Sequence, residues 1–196
     1  MKRWCIGVDP GFRETGAVLF LDEGEETPVA AATWSCTNTA DDDLPRAVAL
    51  AGEVVTQIIA WIRKYEIEHL DISIETPIYK RNAATFIKQI RLLQEIESGI
   101  FHIVEGEVKE LWLTEVNPIT SKRLATDSGK ATKADMIRCS PYRDTEVRAH
   151  TKETLADAWA HGLAAWTTGT RVRVTGLRVA EVENEYEDGH EVSGEH

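Results

Sequence analysis

Three acidic residues occupy positions where an α/β fold would place them together. Asp9 ends the first apolar run of the chain, Glu75 ends a later one, and Asp157 lies within the last helical segment. Strand ends in an open sheet border a cleft, so carboxylates there can converge on a hard divalent cation such as Mg²⁺, which prefers oxygen ligands. Taken singly, each acid could equally be a helix cap or a surface carboxylate. Together they predict a metal site.

The last helical segment, roughly residues 150–166, has one titratable face. At about 100° per residue, His150, Glu153 and His161 all lie within about 40° of Asp157, and the opposite face is apolar. An ordinary amphipathic helix would show the same pattern. Because the titratable stripe contains two acids and two histidines but no lysine or arginine, it favours a metal over an internal ion pair.

The chemistry expected of such a site is phosphodiester hydrolysis. Two divalent cations held by acids would activate a water for in-line attack on phosphorus and stabilise the leaving 3′ oxygen. A nearby lysine could stabilise the charge that develops on the phosphate. We therefore expect two Mg²⁺ ions per active site as cofactor, with Mn²⁺ as a substitute.

The elements that would position these acids run in the order β-β-β-α-β-α-β, followed by helices. Three early strands joined by short turns indicate an antiparallel meander, and the later strands alternate with helices. This order predicts an α/β fold with a mixed five-stranded sheet, three antiparallel strands and then parallel strands, flanked by helices. The strands are expected near 3–9, 15–21, 29–36, 70–74 and 110–117, and the helices after Pro45 and near 83–101, 119–125, 131–138 and 150–166.

A chain of 196 residues fits a single domain. We expect this domain to cover residues 1–170. The segment 171–196 is expected to form an extra strand or hairpin and then a Glu-rich, solvated tail.

The net charge of −11 argues against a polyanionic partner, because nucleic-acid binders usually carry a basic surface. Basic residues nevertheless cluster between residues 79 and 133, which predicts a local basic surface. The cluster consists of Lys80, Arg81, Lys88, Arg91, Lys122, Arg123, Lys130 and Lys133.

Cysteine spacing and hydropathy bear on the compartment. The three cysteines have no paired spacing, which suits reduced thiols. No signal-length apolar run precedes Asp9, and no later stretch approaches the roughly 18 apolar residues of a membrane span. We therefore expect a soluble, cytoplasmic protein, cellular or virus-encoded, with no membrane partner.

Four segments of the chain resemble the RuvC-like Holliday junction resolvases of the RNase H-like nuclease superfamily. They fall in the family's order across about residues 4–166. The segments are Ile6–Gly11 with Thr15-Gly16, Ile72–Glu75 with Lys80–Ala83, Ser121-Lys122 with Gly129–Lys133, and Leu155–Ala158.

The resemblance implies a metal-dependent endonuclease that resolves four-way DNA junctions by paired nicks, in DNA recombination and repair. The family's metal-binding acids match three positions, Asp9, Glu75 and Asp157. The family usually has Asp or His three residues before the final Asp, where this chain has Thr154. Glu153 is the expected fourth ligand and His150 the alternative, because both share the Asp157 face.

The resemblance also implies a DNA-binding surface. Ile78 and Tyr79 fall in the loop where the family pushes an apolar or aromatic residue toward the junction. Lys122 and Lys133 match basic residues that approach DNA phosphate, and Lys133 is the expected catalytic lysine. The predicted DNA contacts are Ile78, Tyr79, Lys80, Arg81, Asn82, Lys122, Arg123, Lys130 and Lys133.

The family is typically a symmetric dimer, and the helix predicted over 83–101 gives separate support for a homodimer. Its apolar residues extend around more of the helix than one core contact requires, with Leu92 at an expected exposed interface position. They are Phe86, Ile90, Leu93 and Ile100 in one stripe, widened by Ile87, Leu92 and Ile96. A monomer would expose part of this surface unless a neighbouring segment covered it.

Three alternatives stay open. An actin-like ATPase or sugar kinase also opens with an Asp-, Gly- and Thr-containing phosphate loop, but it needs a second such loop and a second domain, and nucleotide binding would identify it. A non-catalytic junction-binding scaffold would be identified by a failed metal titration. An RNase H-like nuclease could instead cut flaps or RNA–DNA hybrids.

Overall fold

One mixed sheet runs through the structure, a computed structural model that describes residues 2–21, 27–35, 43–79, 82–165, 171–175 and 178–183. Within these residues the sheet has seven strands in the order β3-β2-β1-β4-β5-β6-β7. The strands are β1 (Trp4–Asp9), β2 (Thr15–Leu21), β3 (Ala30–Trp34), β4 (His69–Glu75), β5 (Glu110–Val116), β6 (Arg171–Thr175) and β7 (Arg178–Glu183). The helices are α1 (Asp43–Tyr65), α2 (Ala83–Gly99), α3 (Pro118–Thr126), α4 (Lys133–Cys139) and α5 (Ala149–Ala164).

The pairing of the first five strands confirms the predicted mixed sheet flanked by helices. β1 pairs antiparallel with β2, and β2 pairs antiparallel with β3. β1 and β4 pair in parallel, as do β4 and β5. β6 and β7 form an antiparallel hairpin that extends the sheet beyond β5. The domain division at residue 170 stays a prediction, and residues 184–196 lie outside the described part of the chain.

Both faces of the sheet are covered by helices. Alternate residues of β1 point to opposite faces, and each set packs in its own cluster. Ile6 and Val8 pack in a cluster with α1, α2 and β4. Cys5 packs on the other face, in a cluster with Trp159 and other residues of α5. A strand buried on both faces reads as a continuous apolar run, which is why the sequence of β1 shows no polar alternation.

Helix α1 is long and apolar enough to cross a membrane by length and composition. This corrects the expectation that no stretch of the chain approaches such a span. Eight of its residues, between Ala47 and Ile62, are buried. Core helices of globular domains pass the same test, and packing on the sheet and on α2 accounts for the apolar face of α1.

Helix α2 buries most of the apolar face that was expected at a dimer interface. Leu92 is 0 % exposed, so the expectation that it lies at an exposed position is wrong. The other core residues of this region are Leu93, Ile96 and, in a π-helical turn that follows α2, Ile100. Only the N-terminal half keeps apolar surface, with Ile87 exposed and Phe86 and Ile90 half-buried.

Helix α5 lies so close to β1 and β2 that two glycines are required at the contact. A Cβ added to Gly7 would lie 2.0 Å from the carbonyl oxygen of Ala158 and 2.3 Å from the backbone nitrogen of Gly162. A Cβ added to Gly162 would lie 2.2 Å from the ring of Phe20. This close approach holds α5 against the strand that ends at Asp9.

Gly7→Ala should lower the free energy of unfolding by about 3 kcal/mol, because the methyl group would collide with backbone atoms that cannot move aside. Denaturant unfolding measures this change. Gly52→Ala in α1 is the matched control, since its Cβ would meet nothing within 4 Å. Removing a glycine from an exposed helical position should stabilise the protein by roughly 0.5–1 kcal/mol. Equal effects of the two substitutions would contradict the close α5 contact.

Candidate metal centre

The parallel pairing of β1 with β4 brings two of the predicted acids to one edge of the sheet. Val8 is in register with Ile74, so Asp9 and Glu75 follow at neighbouring strand ends. His161 of α5 completes a group in which one ligand atom from each residue lies within 4.8 Å of the others. The described residues therefore contain two carboxylates and an imidazole whose ligand atoms are close enough together to hold one metal ion.

The ring of His161 is held from both sides. It is only 2 % exposed. Its Nδ1 lies 2.8 Å from Oγ of Ser121, and its Nε2 lies 3.2 Å from Oε2 of Glu75. A hydrogen bond to the distal ring nitrogen fixes the orientation of a metal-binding histidine. Sequence reasoning placed His161 on the titratable face but did not select it, although it follows Asp157 by one helical turn.

Asp157 stands beside this group, and the carboxylates disturb one another. Burial raises the pKa of Asp9 well above its usual range, and the nearby charges of Glu75 and Asp157 raise that pKa further, against a smaller opposing effect of Lys133. Burial also raises the pKa of Asp157. A divalent cation would relieve this repulsion, and carboxylate oxygens suit Mg²⁺ and Mn²⁺. The residues present therefore fit the implied metal.

The position three residues before Asp157 serves packing instead of metal binding. Thr154 is buried, its hydroxyl donates to the carbonyl oxygen of His150 at 3.2 Å, and its methyl group faces Gly16. Thr154 therefore offers neither a carboxylate nor an imidazole to a metal at this position, and its hydroxyl is already bonded to the backbone.

Glu153 is paired with a lysine, which corrects the expectation that the titratable stripe holds no internal ion pair. The ammonium of Lys133 in α4 donates to the Glu153 carboxylate, and this bond lowers the pKa of Glu153. The Nδ1 atom of His150 lies 3.7 Å from the same carboxylate. That Glu153 or His150 is the fourth ligand stays a prediction, whereas the residue that lies with Asp9 and Glu75 is His161.

Among the described residues, two clefts reach the acids. The larger of the two, which we call the main cleft, has a volume of about 430 Å³. It is lined by residues at the end of β1, in the β1–β2 loop and in α1, α2, α4 and α5, including Asp9, Asp157 and Lys133. A small cleft of about 130 Å³ is lined by Glu75 and His161 and also by Lys122. Asp157 and Lys133 line both clefts, so a bound phosphate could meet the acids and both lysines.

The remaining predicted DNA contacts that the structure describes line neither of these two clefts. Asn82 caps α2, where its Oδ1 accepts a hydrogen bond from the backbone nitrogen of Thr85. Tyr79 is 59 % exposed and meets the ring of Phe86 edge-on, with the centroids 5.7 Å apart. Ile78 in the same loop is half-buried, and Arg123 and Lys130 are exposed. Lys80 and Arg81 lie outside the described residues.

Comparison with solved structures identifies the architecture. The Thermus thermophilus RuvC structure is 15% identical, with a TM-score of 0.58 over 83% of this chain and 95% of that one. The structure of T. thermophilus RuvC in complex with Holliday junction substrate is 16% identical, with a TM-score of 0.58 over 82% and 91%. The chain has a RuvC-like fold. No family model matches the sequence, and no curated protein matches it.

Metal should stabilise this RuvC-like domain through Asp9 and His161, because a ligand that binds only the folded state raises the unfolding midpoint. At Mn²⁺ a hundredfold above its dissociation constant, the gain is about 2.7 kcal/mol. Asp9→Asn and His161→Ala should lose most of the Mn²⁺-dependent shift in a thermal melt.

Glu153→Gln is the control for this measurement, because it changes a neighbouring carboxylate that is bonded to Lys133. It should keep the Mn²⁺-dependent shift. A Glu153→Gln protein without the shift, together with a His161→Ala protein that keeps it, would assign the ligand to Glu153 instead.

Proposed function

We propose that this protein is a divalent-metal-dependent endonuclease that nicks opposing strands of four-way DNA junctions, in the cytoplasm, in DNA recombination or repair. The observation that carries the proposal is the group of Asp9, Glu75 and His161, beside Asp157, at the strand ends of a RuvC-like fold. A solved structure of similar fold holds T. thermophilus RuvC with a Holliday junction substrate, and we extend that substrate class to this chain.

Asp9, Glu75, Asp157 and His161 would hold the metal, two ions of Mg²⁺ or Mn²⁺ in each site. Bound there, the ions would supply Lewis-acid activation of water and neutralise charge on the phosphate. Ser121 keeps the imidazole of His161 aimed at Glu75 through its 2.8 Å contact with Nδ1. Because His161 is buried, little reorganisation of its ring is needed when substrate arrives.

Two lysines provide the positive charge that the acids lack. The charge of Lys133 acts on both Asp9 and Asp157, and the charge of Lys122 lowers the pKa of Asp157 against the larger effect of burial. A phosphate that reaches the acids would meet both ammonium groups. Glu153 limits the motion of Lys133 through their ion pair, so we assign Glu153 the role of positioning this lysine.

Selectivity for branched DNA would come from the loop after β4 and from a second copy of the chain. Tyr79 follows Glu75 by four residues and projects into solvent, so it can enter a base stack that has opened at a branch point. Two sites fixed on one dimer can both engage DNA only where its strands diverge. Linear duplex would engage one site at most.

The apolar surface left on α2 is where we place the second copy. Ile87 is 49 % exposed, and it lies on the same helical half as the partly buried Phe86 and Ile90. Tyr79 packs against Phe86, so the loop after β4 and the proposed interface adjoin. A dimer through this half of α2 would bury the apolar side chains that the core leaves uncovered.

With Mg²⁺, the wild-type protein should nick two opposing strands of a labelled four-way junction and leave linear duplex largely uncut. Asp9→Asn and Glu75→Gln should lower the cleavage rate by about a thousandfold, the effect of several kcal/mol of lost charge stabilisation, and should retain junction binding.

Tyr79→Ala should reduce junction cleavage without changing the Mn²⁺-dependent stabilisation. Val48→Ala, at an exposed apolar residue of α1, is the control.

A panel of three-way, flap, duplex and RNA–DNA hybrid substrates tests the substrate class in the same buffer. Equal rates on duplex or hybrid and on four-way junctions would contradict the resolvase proposal and identify a general RNase H-like nuclease.

Light scattering should give the mass of two chains for the wild-type protein and of one chain for Ile87→Glu, because the substitution places a charge in the proposed interface. Val48→Glu makes the same kind of change on exposed α1 and should stay dimeric. Leu92→Glu is unsuitable, since this side chain is in the core. A wild-type mass of one chain would overturn the dimer.

A further inference from the structure

A cation held over an aromatic ring forms a wall of the main cleft. Arg46 lies in the first turns of α1, and Phe12 lies in the loop between β1 and β2, three residues after Asp9. The guanidinium carbon of Arg46 is 5.0 Å from the centroid of the Phe12 ring. Phe12 itself is packed against the core, so it offers Arg46 a fixed support.

The Arg46 side chain retains unused hydrogen-bonding capacity. Its Nε atom is buried and has no hydrogen-bond partner among the described residues. Buried donors in folded proteins are nearly always bonded, so an unbonded Nε shows that no neighbouring group holds this side of the guanidinium. Arg46 as a residue lines the main cleft, where a ligand can reach its guanidinium. Lys88, whose Nζ lies 5.8 Å from the same ring, is different because it pairs with Asp43 at 2.9 Å.

The chemistry of Arg46 selects the ligand class. A guanidinium presents five donors in a planar fork that matches the oxygens of a phosphate. Thr85 and Gln89, one turn apart on α2, line the same cleft and add a hydroxyl and an amide. Asp9 and Asp157 line it as well, so an anion at Arg46 would share one continuous space with a phosphate at the acids.

We propose that Arg46, held over Phe12, binds a phosphodiester of the strand being cut that neighbours the scissile one. The contact would fix the register of the strand, and so determine which bond reaches the acids. This inference rests on the proposed nuclease function and adds a phosphate subsite on the α1 side of the cleft. Phe12 is a positioning residue, since it acts through Arg46.

The test is the salt dependence of junction binding by the 196-residue chain in EDTA, measured by fluorescence anisotropy of a labelled four-way junction. Each phosphate contact contributes about 0.7–0.9 to the slope of log affinity against log salt. Arg46→Gln should reduce that slope by roughly one contact and weaken binding about tenfold at moderate salt. Arg46→Lys should keep most of the slope, because it keeps the charge.

Two further variants separate a subsite from a structural role. Phe12→Leu should weaken junction binding by a smaller factor than Arg46→Gln does. Phe12→Tyr keeps an aromatic ring under Arg46 and should bind as tightly as the wild type. Arg63→Gln makes the same charge change in the last turn of α1, about 25 Å along the helix from Arg46, and should leave the slope unchanged. Unfolding midpoints of all variants show that each is folded.

The outcomes distinguish this inference from the proposed function. If the wild type binds and cuts junctions but Arg46→Gln has the wild-type slope, the subsite is wrong and the nuclease stands. An equal loss of slope in Arg63→Gln would also overturn it, because net charge would then be the cause. A wild type that binds no branched DNA would overturn both.

Discussion

The contact between α5 and the β1–β2 hairpin is the constraint on which the candidate metal centre depends. Gly7 lies two residues before Asp9, and Gly162 directly follows His161, so the residues that permit the close approach belong to the elements that carry the candidate ligands. A larger side chain at either glycine would push the helix off the sheet. The 3.2 Å contact between His161 and Glu75 would then be lost, and Asp157 would move away from Asp9.

This arrangement places carboxylates close together in a site where water screens their mutual repulsion only weakly. Burial and like charge raise the pKa of Asp9, and Lys133 offsets only part of the effect. Functional sites of this kind are destabilising by themselves, and the rest of the fold must compensate. Here the compensation comes from a core on both faces of the sheet, in which β1 is almost fully buried. A bound divalent cation would relieve the repulsion between acids that lie so close together.

The sequence predicted the sheet and the two strand-end acids because both follow from local patterns, apolar runs that stop at Asp9 and Glu75. It could not select His161, since a helical angle does not reveal that Ser121 of another helix holds the ring. The pairing of Glu153 with Lys133 was missed for the same reason. Periodicity likewise showed a broad apolar face on α2 but not that the core covers Leu92.

The fold gathers Asp9, Glu75 and His161, and we propose that these three residues hold a divalent cation. Anomalous diffraction from crystals soaked in Mn²⁺ tests it most directly, because the signal locates the ion independently of any activity. We predict a strong peak within coordination distance of an oxygen of Asp9, an oxygen of Glu75 and Nε2 of His161. A peak elsewhere, for example between His150 and Glu153, or no peak at saturating Mn²⁺, would contradict the account.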